Sequence, residues 1–600
     1  MSQNVSQYLL NRVHDEWGVK RIYGYPGDGI NGLIGAFHQV GEKIAFTQMR
    51  HEEIAAFAAC AHAKFTGEVG VCMATSGPGA IHLLNGLYDA KLDHQPVVAI
   101  VGQQKRMSLG GNFQQEVDLQ VLFKDVCAEF VQYVMTPEQT QLVVDRAFRV
   151  ALATRSPTCI IVPADVQESE YEEPPRMHGA LFTSAGVTRP HVTPTEADLQ
   201  KAAEILNAGK KVAILIGQGA KNASAEVKEV ADLLGSGVAK ALNGKDALPD
   251  DLPFVTGGIG LLGTKPSNEM MEQCDTLLMI GTGFPYAEWL PKPGQARGLQ
   301  IDIDGRLLGN RYPTELNLIG DSRDTLRALI PHLHRKQDRS FREMIEGEVA
   351  RWWEILGERA MDKPSGEGMC NPLRVFHELD KQLPAGVLTS SDSGSATNWW
   401  ARHVKAREGS QFALSGTLAT MCPGLPYAIA AKLAYPERPV VGVMGDGAFQ
   451  MLGVNTLIDV AKYRHEWAGR NETFVVLVLN NHDLNQVTWE QRVLAGDPKV
   501  EVSQVLPDFP YAQYAESLGF KGIRVTSDDE LEAAWKEAFA SDRPVLLEAV
   551  TDPEYPPLPP HIRFEQAQKL MMALAKGDEN RGRIIKESIR GKLHEFTTRS

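Results

Sequence analysis

Short apolar runs recur along the chain, separated by stretches whose apolar residues fall at helical spacing. VGVCMAT (69–75), PVVAIVG (96–102) and TCIIVPAD (158–165) have strand length, and Ala- and Leu-rich helical stretches lie between them. Strands apolar on both faces, alternating with helices, predict parallel sheets covered on both sides. The pattern restarts twice. KVAILIGQGA (211–220), CDTLLMIGTG (274–283) and LQIDID (299–304) form a second set. GVLTSSDSG (386–394), PVVGVMGDG (439–447), TFVVLVLNN (473–481) and PVLLEAV (544–550) form a third. A Pro-containing polar stretch at 172–198 and a charged helical stretch at 334–363 separate the sets. The predicted fold is α/β, with three doubly wound parallel-sheet domains at 1–180, 190–335 and 369–555, a helical linker at 336–368 and a tail at 556–600.

Composition narrows the class. With 43% hydrophobic and 23% charged residues the chain is globular, not disordered. A net charge of -14 argues against a general nucleic-acid binder. The seven cysteines include no C-x-x-C pair, so neither a disulfide framework nor a zinc site is expected, and a reduced cytoplasmic interior fits. The N-terminus carries charge where a signal peptide needs an apolar region, and no apolar run is long enough to span a membrane.

The densest chemistry lies at 439–460, where a buried strand runs into Gly445-Asp446-Gly447 and a helical pattern begins at once. Glycines let backbone N–H groups approach an anion at a helix N-terminus. A carboxylate there repels phosphate unless it holds a cation, so the turn suggests a diphosphate bridged by Mg²⁺. A plain strand-to-helix turn is the alternative. The next strand ends in Asn480-Asn481. Asp446, the Asn481 amide oxygen, a carbonyl just beyond at Asp483 and two phosphate oxygens would nearly fill an octahedral shell. Parallel neighbours bring such strand ends together, where open α/β sheets hold ligands.

Gly-Asp-Gly followed some thirty residues later by Asn-Asn resembles the thiamine diphosphate motif. SGTLATMCPGLPYAIAA (415–431), Gln48-Met49-Arg50-His51-Glu52-Glu53 and SGPGAIHLLNGLYDA (76–90) resemble further blocks of the 2-oxoacid-processing branch of that enzyme family, which includes pyruvate oxidase and acetolactate synthase. The resemblance covers about residues 1–565. It implies a pyrimidine-binding first domain and a diphosphate-binding third domain. It makes Glu52 the acid that hydrogen-bonds N1′ of the aminopyrimidine, so that the ring's own N4′ becomes the base beside C2. Without the resemblance, Glu52 is an acid suited to the first turn of an Ala-rich helix. Met421 would force the bent cofactor conformer, and the Ala419 carbonyl would accept from N4′ where the family usually has Gly. Asp392-Ser393-Gly394 resembles the first diphosphate contact, and Gly445, Gly447 and Ala448 belong to the second. Phe113-Gln114 resembles an element that borders the reactive centre from the partner subunit, although Gln-Gln-Glu stands where Gln-Glu is usual.

The middle set resembles the flavin-binding domain of pyruvate oxidase, through IGLLGTKPS (259–267), LLMIGTGFPYAEWLPKPG (277–294) and LQIDIDGRLLGN (299–310). Gly217 and Gly219, with Gly281, Thr282, Gly283 and Phe284, would serve an FAD diphosphate, and Asp302 a ribose hydroxyl. The loop Asn481–Glu490 departs from each subfamily. Gln486 stands where pyruvate oxidases usually carry a bulkier residue, Glu490 matches an acid of some phosphate-using ones, and Val487-Thr488 resembles acetolactate synthase. The Asp446–Asn481 spacing is longer than usual, with 463–472 as the insertion. Three readings follow: an FAD-dependent pyruvate oxidase-like enzyme, an acetolactate synthase-like carboligase, and a non-oxidative 2-oxoacid decarboxylase. A homodimer or homotetramer with centres at subunit interfaces is expected. In the tail, Ile585, Ile589, Leu593 and Phe596 recur on one helical face among basic residues. That pattern suits either packing on protein or peripheral contact with the inner face of an anionic membrane.

Overall fold

The computed structural model describes residues 3–557 and 564–585. The first sheet is built from β1 (Arg21–Gly24), β2 (Ala45–Gln48), β3 (Gly70–Ala74), β4 (Val97–Gln103), β5 (Val131–Tyr133) and β6 (Thr158–Pro163). The second comprises β7 (Val212–Ile216), β8 (Gly237–Lys240), β9 (Val255–Gly258), β10 (Thr276–Ile280), β11 (Arg297–Asp302) and β12 (Thr314–Ile319). The third comprises β13 (Leu388–Ser391), β14 (Gln411–Ala413), β15 (Val440–Gly445), β16 (Phe474–Asn480), β17 (Lys521–Val525) and β18 (Val545–Val550). All paired strands run parallel. The orders are β2-β1-β3-β4-β6-β5, β12-β11-β10-β7-β8-β9 and β14-β13-β15-β16-β18-β17. Helices cover both faces, giving three domains of one α/β architecture.

The apolar runs read from sequence are the central strands. β4 and β16 are buried at every position, because helices seal both faces. The short or alternating strands lie at sheet edges: β12 is exposed at every second or third position, and β5 is only half-buried. Four helices of the first and third domains matter for the site. α1 (Glu52–Thr66) is buried almost all round, as expected of an Ala-rich helix lodged between a sheet and a neighbouring domain. α2 (Leu84–Leu92) packs beside it. The linker helix α3 (Ser340–Ala360) falls within the charged stretch at 334–363. α4 (Ser395–His403) follows β13, and α5 (Gly424–Ala434) packs along α1, joining the first domain to the third.

α6 (Asn485–Glu490) follows β16, and the tail helix α7 (Phe564–Ala575) returns towards it. Leu570, Leu574 and Ile584 pack with Trp489 and Val493 in one apolar cluster. Of the predicted basic face, Ile585 is 43% exposed, and Ile589, Leu593 and Phe596 lie outside the described residues. All seven cysteines are buried free thiols. No helix among the described residues is long and apolar enough to cross a membrane.

Candidate active site

β13, β15 and β16 are adjacent, and the strand order reverses between β13 and β15. Their C-terminal ends therefore open a crevice of the kind that holds ligands in open α/β sheets. Asp446 begins the turn after β15. Its Oδ1 accepts from Gly447 N at 2.9 Å, and its Oδ2 from Asn481 N at 2.9 Å and His482 N at 2.7 Å. Burial pushes this carboxyl up to about 7 against those three donors, and the neighbouring Asp483 adds to the rise. An adjacent cation removes that penalty. The Asn481 amide oxygen accepts from Asp483 N at 3.1 Å, which fixes its orientation. A carboxylate and an amide oxygen beside a strand end suit a hard divalent ion such as Mg²⁺.

The Asp483 carboxylate is committed to other partners: Lys499 Nζ lies 3.2 Å away, and Thr488 Oγ1 donates at 3.0 Å. What Asp483 can offer an ion is its main-chain carbonyl. Asp392 is a similar case. Buried after β13, it takes N–H groups from Ser393, Cys422 and Gly424 at 2.7, 2.8 and 3.4 Å. It thus ties the 415–424 loop to the strand end, and the groups there that suit a diphosphate are main-chain N–H groups of Gly394 and Ser395. Gly394 caps α4 at φ 118, a conformation that L side chains rarely adopt, and a Cβ there would meet open space.

Met421 adjoins the same turn: a Cβ built on Gly447 would lie 3.5 Å from its Cε and 2.7 Å from Leu484 Cδ2. Ala448 is buried in the short helical turn that follows. Ala419 and Cys422, flanking Met421, adopt φ 53 and 88, and His482 adopts φ 55. Non-glycine residues hold such conformations only where their surroundings enforce them, which happens most often at functional sites.

In the first domain, Glu52 opens α1 directly after β2, with His51 as its cap; His51 Nδ1 accepts from Glu53 N at 3.1 Å. Glu52 is buried, and its Oε2 lies 3.0 Å from His82 Nδ1. A side chain on Gly79 would come within 3.1 Å of its Oε1, so the Ser76-Gly77-Pro78-Gly79 turn leaves room for the carboxyl. His82 is a partner that sequence reasoning passed over. Its place one helical turn after Ser-Gly-Pro-Gly is the signal that points to it.

Phe113 and Gln114 are exposed in the single chain. Gln115 lies against this turn. It adopts φ 60, its carbonyl oxygen lies 2.8 Å from where a Gly77 Cβ would stand, and Ser76 Oγ approaches its Oε1 at 3.5 Å. Gln115 is thus the residue of this stretch that lies against the Ser76-Gly77 turn of its own chain. A second group joins α4 to α6; Gln486 and Glu490 stood out in the sequence, and Asn398 did not. Buried Asn398 donates to Gln486 Oε1 at 2.5 Å, and Gln486 donates to Glu490 at 2.9 Å. These three polar side chains lie beyond the Asp392 turn.

In the second domain the order reverses between β7 and β10. Gly217 and Gly219 follow β7, and Gly281 follows β10 at φ 56. A Cβ on Gly217 would stand 2.4 Å from the Gly281 carbonyl oxygen, so only glycine lets these turns meet. Gly283 faces open space. Thr282 is buried and accepts from Phe284 N at 3.2 Å. The Phe284 ring packs in the core against Gly260 and Tyr286, so its main chain is what it can present to a ligand. Asp302 ends β11 nearly buried, its carboxyl raised by that burial. Paired glycine turns at a switch point, with an acid at the next strand end, suit a dinucleotide.

Comparison with known proteins agrees with this geometry. The N-terminal TPP binding domain of thiamine pyrophosphate enzymes matches residues 3–122, the central domain 199–329 and the C-terminal TPP binding domain 392–549. The chain belongs to the thiamine pyrophosphate enzyme family. It is 37% identical over 568 residues to the putative thiamine pyrophosphate-containing protein YdaP of Bacillus subtilis, covering 95% of each chain. It is 29% identical over 564 residues to pyruvate oxidase of Lactiplantibacillus plantarum, covering 93% of this chain and 90% of that one. It is 31% identical over 567 residues to a probable acetolactate synthase large subunit of Methanocaldococcus jannaschii, covering 91% of this chain and 92% of that one. These relatives divide between oxidase and carboligase, so they establish a thiamine diphosphate-dependent enzyme without choosing its reaction.

Proposed function

We propose that the enzyme decarboxylates a 2-oxoacid of the pyruvate class and passes the two electrons to FAD in the central domain. The observation that carries this reading is the intact glycine cradle at the central switch point. It stands in the same chain as a complete set of thiamine-site groups: Glu52, Met421, Asp446 and Asn481. Bound thiamine diphosphate supplies a nucleophilic C2 and a sink for the electron pair left by CO₂, and FAD supplies a two-electron acceptor. Glu52 holds a proton at N1′ of the pyrimidine, steadied on its other oxygen by His82. Asp446, the Asn481 amide and a carbonyl at Asp483 would hold Mg²⁺, and N–H groups at the start of α4 would take diphosphate oxygens. Met421 and the strained Ala419–Cys422 segment set the shape of the floor. Gln115, Gln486 and Glu490 supply polar groups where the substrate and its proton are handled.

Carboligation is the second reading, favoured by Val487-Thr488 and by the acetolactate synthase relatives. Apolar side chains exposed beside both halves of the site support assembly with a second copy. Ile81, Met107 and Val121 lie in the first domain, and Met451, Val487 and Val502 in the third. The test is an anaerobic spectrum of the purified enzyme with pyruvate. Bleaching of a flavin band is expected. A flavin that stays oxidised while a C–C-bonded product forms overturns the oxidase reading in favour of the carboligase, and absence of flavin with CO₂ release leaves simple decarboxylation.

A further inference from the structure

The turn after α2, Asp93-His94-Gln95, touches both the central glycine cradle and the thiamine loop. Asp93 is fully buried. Its Oδ2 accepts from Gly416 N at 2.8 Å and from Lys64 Nζ at 2.7 Å, and its Oδ1 from Thr417 N at 2.8 Å. Lys64, near the end of α1, also donates to the Leu414 carbonyl at 2.5 Å. One carboxylate and its lysine thus grip the start of the loop that carries Ala419 and Met421. The main-chain carbonyl of the same Asp93 accepts from Gln218 Nε2 at 3.0 Å, and Gln95 Nε2 reaches Gln218 Oε1 at 3.2 Å. Gln218 is the middle residue of the Gly217-Gln218-Gly219 turn. A third contact closes the triangle: a Cβ on Gly416 would fall 2.2 Å from Asn243 Nδ2, in the loop whose Gly244 abuts Gly217.

Both turns are strained. His94 adopts φ 53, as does Ala419, and Cys422 adopts φ 88. Such conformations last only while neighbours hold them. We propose that Asp93 is a positioning residue for the thiamine loop, and that a dinucleotide seated on the Gly217–Gly219 turn strengthens this hold through Gln218. Each ligand then meets part of the ordering cost of the other, and the coupling is reciprocal by linkage. The inference rests on the reading of the central domain as an FAD site.

The experiment uses the full chain stripped of cofactors. FAD affinity is measured by flavin fluorescence, and thiamine diphosphate affinity, with Mg²⁺ fixed, by calorimetry with and without saturating FAD. In the wild type, FAD should tighten thiamine diphosphate binding about fivefold or more, within the usual range of coupling. Gln218→Met should abolish that tightening while thiamine diphosphate alone binds as in the wild type. Asp93→Asn should weaken thiamine diphosphate itself and also abolish the coupling. Gln218→Met, which lies outside the buried Lys64 pair, keeps the test decisive if Asp93→Asn fails to fold. A wild type that binds FAD with no change in thiamine diphosphate affinity, or a Gln218→Met chain with coupling intact, overturns the proposal. A wild type that binds no FAD overturns the reading of the central domain, and the coupling with it.

Discussion

The carboxyl of Glu52 has two oxygens with different surroundings: one against His82, the other towards the space that Gly79 leaves clear. That asymmetry is what an acid serving a pyrimidine nitrogen requires. Glu52→Gln is expected to fold and bind cofactor but to lose activity by roughly 10²–10⁴, the range of general acid–base groups. Hydrogen–deuterium exchange at C2 of the bound cofactor checks this; wild-type exchange in the variant refutes the role. The two glutamines offer a sharper comparison. Gln115→Ala should lower kcat/KM about tenfold or more, the worth of one good hydrogen bond at the reacting centre, and Gln114→Ala less than about twofold. The reverse ranking would return the inward position to Gln114.

At the scale of elements, the tail is fastened to the active-site segment by charge. Arg492 is fully buried between Glu554, at 2.9 Å, and Asp578, at 2.9 Å, just beyond the α6 segment whose Trp489 packs on α7. Removing one partner of a buried pair typically costs about 3–5 kcal/mol. Asp578→Asn should therefore speed amide exchange across α7 by roughly a hundredfold at pH 7. Acid should have the same effect. Arg492 holds the Asp578 carboxyl below its ordinary value, against burial. Its stabilisation is thus complete above the unfolded value of about 3.9 and drains away as pH falls through the lower folded value. Glu554, raised by burial, takes its proton first on acidification and contributes no such hold. Docking that persists unchanged to pH 2 would refute the clamp.

Elements were legible where burial is two-sided. β4, β10, β15 and β16 announce themselves as apolar runs because nothing in them faces water, and their Gly- or Asn-rich ends mark the crevices. β2, β5, β14 and β17 were not legible, since edge strands this short carry little pattern. Glu52, Asp446 and Asn481 stood out as candidates because the chemistry proposed for them restricts the residue type. The placements of Gln115 and Asp93 were not: each depends on where a turn of unusual φ delivers a side chain, and spacing alone does not encode that.

The whole chain brings its first and third domains together through buried and part-buried polar contacts. Tyr427 donates to Asp89 at 2.5 Å, Arg50 Nε to Asp459 at 3.1 Å, and Asn85 to both Glu53, at 2.7 Å, and Thr420, at 3.0 Å. The longer segment at 463–472 adds to this joint: Arg21 pairs with Glu466 at 2.5 Å, and the Tyr463 hydroxyl accepts from Gln48 N at 2.6 Å. The joint fixes the two half-sites of one chain relative to each other, while the apolar side chains beside each half remain exposed. A twofold partner that covers both patches would pair Glu52 of one copy with Asp446 of the other. If so, Glu52→Gln and Asp446→Ala chains, each nearly inactive alone, should recover about one quarter of wild-type activity when co-assembled in equal amounts. Half of the dimers are then mixed, and each mixed dimer has one intact centre and one doubly damaged centre. Differently tagged chains, co-expressed and purified through both tags, isolate the mixed dimer and raise the expected recovery to about one half. No recovery in that doubly selected dimer would mean that each chain builds its centre from its own two domains.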